Sequence, residues 1–104
     1  MKRWIHASAD LDKIQAKADE LKSFFKENGN DATLVAKINR GGLTDIYTVS
    51  RRLSGRGITI YKRTVDSKNS NRSFGGGTTL ATGWWYVAQW VISIEENGTN
   101  FTVE

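Results

Sequence analysis

The chain has 104 residues, 38% of them hydrophobic and 25% charged, which suits a single globular domain over 1–104 and is too apolar for wholesale disorder. It contains no Cys, which excludes disulfides and thiolate chemistry, and its one histidine, His6, leaves little from which to build a zinc site. The net charge of +4 is unevenly placed: residues 1–36 carry six basic and six acidic side chains, residues 37–72 carry nine basic against Asp45 and Asp66, and residues 73–104 carry only Glu95, Glu96 and Glu104.

No long apolar run follows Met1-Lys2-Arg3, so the expectation is a cytoplasmic protein with no membrane span. The Asn-x-Ser/Thr triplets at Asn71, Asn97 and Asn100 then read as chance matches. Residues 2–6 (KRWIH) predict a short strand. From Asp10 to Asn28 the apolar residues Leu11, Ile14, Ala18, Leu21 and Phe25 fall at a 3-4-3-4 spacing, which lines one face of a helix. Ser8 or Asp10 offers an N-cap oxygen, and Asn28-Gly29 offers a left-handed stop.

Residues 32–39 alternate, with Leu34, Ala36 and Ile38 on one side, and Arg40-Gly41-Gly42 turns the chain. Residues 44–52 and 58–65 are rich in Thr, Ile, Val and Tyr, which predicts two more strands. A short helix over 44–54, capped by Thr44, is the alternative there and would suggest a winged helix-turn-helix. Residues 66–83 read as a flexible Gly/Ser/Asn-rich loop. In residues 84–95 (WWYVAQWVISIE), apolar residues at every second position predict a strand, and Asn97-Gly98 predicts a tight hairpin that sets Ile94 opposite Phe101 and Ile92 opposite Val103. The expected architecture is α+β: one amphipathic N-terminal helix packed on a twisted, mainly antiparallel sheet of about five to six strands, in the order β-α-β-β-β-β-β.

Catalytic signals are thin. His6 stands at the junction of the first strand and the helix, where capping or packing is the commoner role. Asp45 and Asp66 could meet across adjacent strands, but no spacing demands a metal between them. Gly75-Gly76-Gly77 lacks the Lys-Ser/Thr of a phosphate loop and the spacing of a dinucleotide loop. The expectation is therefore no enzyme, no cofactor and no metal.

The stretch RRLSGRGITIYKR, residues 51–63, places five basic side chains in thirteen positions without an acid. Basic side chains neutralise phosphates, and aromatic faces stack bases. The sequence thus predicts a basic β-ribbon over 37–72 that contacts nucleic acid or a ribonucleoprotein. The candidate residues are Arg40, Arg51, Arg52, Arg56, Lys62, Arg63, Lys68 and Arg72, with Tyr47 and Tyr61 for stacking. Arg56-Gly57 before a strand resembles the start of the ribonucleoprotein motif of RNA-recognition domains, but Ile58 and Ile60 stand where that motif places aromatics.

The alternative is a protein-directed inhibitor or adaptor. The chain is similar in size and style to accessory proteins of phages and mobile elements, such as anti-CRISPR proteins that bind a nuclease. A small enzyme without a recognisable motif comes third. Trp84, Trp85 and Val87 would form an exposed patch on the last long strand, open to a partner protein or a second copy of the chain.

Overall fold

The computed structural model describes residues 11–51, 57–69 and 71–104. The strand expected at 2–6, the helix cap at Ser8 or Asp10, and His6 lie outside the described residues. The fold is α+β. Helix α1 (Leu11–Asn28) is followed by strands β1 (Thr33–Arg40), β2 (Leu43–Ser50), β3 (Thr59–Asp66) and β4 (Thr78–Thr82), then helix α2 (Trp84–Glu96) and the short strand β5 (Thr102–Val103). The five strands form one antiparallel sheet in the order β4-β3-β2-β1-β5. No described helix is long and apolar enough to cross a membrane.

Both helices lie on one face of this sheet. The stripe Ile14, Ala18, Leu21 and Phe25 of α1 is buried, as its spacing predicts. It meets Val87, Ala88, Val91, Ile92 and Ile94 of α2 and, from the sheet, Ala36, Val49 and Ile60. Phe25 is 1% exposed and packs edge-on to Phe24 at 4.9 Å. Burial of one such aromatic stabilises by roughly 1.5–3 kcal/mol. Gly29, at φ 90°, ends α1 with its amide on the Phe25 carbonyl. At the far end of the helix pair, Lys17 bridges Glu20 and Glu95, and Lys13 pairs with Glu96.

Residues 84–96 form a helix, not the strand that their alternation predicts. The segment is apolar at both odd and even positions, so it also satisfies a 3-4 spacing through Val87, Ala88, Val91 and Ile92. Packing decides between the two. As a helix the segment covers both α1 and the sheet. Gly83 starts it at φ 107°, and Asn97-Gly98 stops it, with the Gly98 amide bonded to the Glu95 carbonyl. The expected hairpin pairing of Ile94 with Phe101 and Ile92 with Val103 is therefore replaced. Val103 pairs with Leu34, and Thr102 with Val35.

The stretch 66–83, expected to be a loop throughout, is partly structured. Residues 78–82 form β4 on the outer side of β3. Ser73 forms an isolated bridge to Val65. The glycines between them let the chain run close over Tyr61, whose ring fills the space that a Cβ at Gly77 would need.

Candidate functional site

Strand register sorts the basic residues. Side chains alternate between the two faces of a sheet, and directly paired residues share a face. Lys37 pairs with Ile46, and Ile46 with Arg63, so these three stand in a row across β1, β2 and β3 on the face away from the helices. Ile46 is buried between two exposed cations. Val35, Thr48, Asn71, Ser73 and Glu104 complete a groove of about 460 Å³ around them. Neither Lys37 nor Arg63 has a hydrogen-bond or ion-pair partner among the described residues.

The opposite face behaves differently. The helices' core reaches along the strands as far as Ile38 and Tyr47. Beyond that point, Arg40 binds the Asp45 carboxylate through Nε at 2.6 Å and Nη2 at 2.9 Å, and the Thr64 hydroxyl donates to it at 2.8 Å. The Arg40 hydrogen bond holds the Asp45 carboxyl below its ordinary range against the opposing effect of burial, with Thr64 adding to it. Lys62, paired with Tyr47 across β2 and β3, sets its ammonium 5.7 Å from the Tyr47 ring centroid. Alternation from Ser73, which shares the outer face with Val65, turns Arg72 and Phe74 to this inner face, where the guanidinium lies 5.5 Å from the ring.

The distal end of the sheet, away from the helices, is a stitched tip. The Ser67 amide bonds the Gly42 carbonyl at 3.0 Å, the Ser67 hydroxyl reaches the Gly41 carbonyl at 3.1 Å, and Thr44 Oγ1 meets the same hydroxyl at 2.8 Å. Asp66 accepts from the Lys68 amide, and Asn69 from the Asn71 amide, each closing a tight turn. Lys68, Asn69 and Asn71 are all exposed there.

Of the residues the sequence singles out, Lys62 stands at the border of this distal half of the sheet, level with Tyr47, and Arg63, Arg72 and Lys68 occupy the half itself. Arg40 is there too but is committed to Asp45. Arg51 lies elsewhere: it donates to Asn30 Oδ1 and the Gly57 carbonyl and covers the Trp84 ring at 5.4 Å, next to the helices. Arg52 and Arg56 lie outside the described residues. The stacking role expected of the two tyrosines meets an obstacle at each. Tyr47 faces the helices beneath Lys62, and the Tyr61 ring is held against Gly77. The exposed patch expected of Trp84, Trp85 and Val87 does not form. Val87 is fully buried, and both tryptophans pack half-buried against the core, because the segment is a helix. Tyr86, 62% exposed, is the outward aromatic of α2.

Sequence reasoning missed Lys37, Thr48, Asn71 and Ser73 as groove residues. The alternation of 32–39 does assign Lys37 to the side opposite Leu34, Ala36 and Ile38. The other three require the register and the bridge at Ser73. Among the described residues, no group of three His, Asp or Glu side chains comes close enough to hold a metal ion. No protein-family model, curated protein or solved structure matches the chain.

Proposed function

We propose that the chain is a non-enzymatic binding module of the cytoplasm that contacts nucleic acid through its phosphates, using the distal half of the β1–β2–β3 ribbon. The observation that carries this reading is the row Lys37-Ile46-Arg63: two exposed cations on one face, without an ion-pair partner among the described residues, at either side of a polar groove that Glu104 also lines. Elsewhere in the fold, cations such as Lys13, Lys17 and Arg40 are paired with carboxylates. Unpaired cations on a shaped surface release counterions when they meet phosphates, and this drives binding that weakens with salt.

The test is titration of labelled oligonucleotides across a salt series. Binding that falls steeply with salt, and that is reduced when Lys37 and Arg63 are both changed to Glu, supports the reading. Absence of binding at low salt removes it and leaves an acidic protein surface as the partner, which is the inhibitor or adaptor reading.

A further inference from the structure

The cations of the distal half divide between the two faces of the sheet. Lys37 and Arg63 stand on the outer face, and Lys62, level with Tyr47 at the margin of the helices' core, and Arg72 stand on the inner face. A single strand lying along a flat platform would need cations on one face, with free aromatics for its bases. Cations on both faces fit a cleft with two phosphate walls.

We infer that the partner is B-form duplex DNA, whose major groove receives the distal tip of the sheet. Phosphates of one strand then meet Lys37 and Arg63, and phosphates of the other meet Lys62 and Arg72. This inference rests on the nucleic-acid reading above and narrows it.

The dimensions agree. Stacked sheets pack about 10 Å apart, which sets the scale of one layer, and the B-DNA major groove is about 12 Å wide and 8.5 Å deep. Lys37 lies three residues behind Arg40, where β1 ends, and so about 10 Å behind the tip at the rise of an antiparallel strand. A tip seated on the groove floor therefore brings Lys37 and its row-mate Arg63 level with the groove's rim, where the phosphates are, while Lys62 stands one residue further back and Arg72 stands at the tip, beside Asp66. The leading surface suits the floor. Gly41 and Gly42 keep it narrow, and Lys68, Asn69 and Asn71 present donors and acceptors. The Ser67 hydrogen bonds fix its shape before contact. A-form RNA does not offer this site, because its major groove is deep and narrow.

The experiment compares one sequence of about 20 base pairs as duplex DNA, duplex RNA and single-stranded DNA, by fluorescence anisotropy across a salt series. Four phosphate contacts predict a log–log salt slope near −4 on duplex DNA, at about 0.9 per phosphate. The pair Lys37→Gln with Arg63→Gln, and separately the pair Lys62→Gln with Arg72→Gln, should each make that slope shallower by about 2. Circular dichroism melts confirm that each variant is folded. Should a variant fail to fold, the slope of the unsubstituted protein decides: a value near −2 means that one face alone engages and overturns the inference. Single-stranded DNA or duplex RNA bound as tightly as duplex DNA overturns it too, while leaving the nucleic-acid reading intact. No binding to any of the three ligands removes both.

Discussion

Arg40 closes over Asp45 with two hydrogen bonds, and the carboxylate beneath is only 3% exposed although its partner is half open to solvent. The pair joins the end of β1 to the start of β2 across the Gly41-Gly42 turn. Its folded carboxyl is held below the ordinary value of about 3.9. The unfolded chain therefore takes up the proton first as the solution is acidified. The resulting stabilisation is present above about pH 4 and is lost as pH falls through the lower folded value. Asp45→Asn should flatten this acid-side loss in urea melts taken from pH 6 to pH 2. Arg40→Gln should lower the melting temperature at neutral pH, because among the described residues it leaves the buried carboxylate with the Thr64 hydroxyl as its side-chain donor and only the more distant charge of Lys62.

The helical assignment of residues 84–96 makes opposite demands on neighbouring residues. Val87 is fully buried and Tyr86 is exposed. Val87→Ala should cost about 2 kcal/mol in denaturant unfolding. Tyr86→Ala should stay within about 0.5 kcal/mol. Comparable costs at the two positions would speak against this face of α2 being the one turned inward.

Gly76 and Gly77 are neighbours with different surroundings. A Cβ at Gly76 meets nothing, whereas one at Gly77 would displace the Tyr61 ring. Gly77→Ala should destabilise by about 1–3 kcal/mol, the range for forced overpacking. Gly76→Ala should be neutral or stabilise by up to about 1 kcal/mol through the unfolded chain. Thermal melts of the two variants, run side by side, check the contrast.

Lys17 ties α1 to α2. Burial lowers its pKa, but hydrogen bonds to Glu95 and Glu20 outweigh that and leave it raised. A raised value gives stabilisation that is complete below the unfolded value of about 10.4 and lost as pH rises through the folded one. The pair is only partly buried, so Lys17→Gln should cost less than about 1 kcal/mol near neutrality. Denaturant melts at pH 7 and pH 11 should show the difference between the two proteins shrinking at the higher pH.

Legibility in the sequence followed how many structures each pattern could satisfy. Ile14, Ala18, Leu21 and Phe25 are separated by polar residues, so a single period fits them, and α1 forms where that period places it. The stretch WWYVAQWVISIE fits both periods, because apolar residues occur at nearly every position. Its flanking Gly83 and Asn97-Gly98 serve a helix as well as they serve a hairpin. For the candidate site, consecutive cations such as Lys62 and Arg63 must point to opposite faces once they sit in a strand, so their division was readable. The withdrawal of Arg51 was not. Its partners Asn30, Gly57 and Trp84 come from three separate segments, which only the folded chain brings together.

The packing of α1 against α2 also has a consequence for the chain as it is made. The two helices are separated by 55 residues, positions 29–83, which build the first four strands. At a synthesis rate of about 5–20 residues per second, α1 waits roughly 3–11 s for its helical partner to follow. Over that interval Phe25 and Leu21 are shielded by the strands alone or not at all. The nascent chain therefore carries part of the α1 stripe uncovered until α2 is complete.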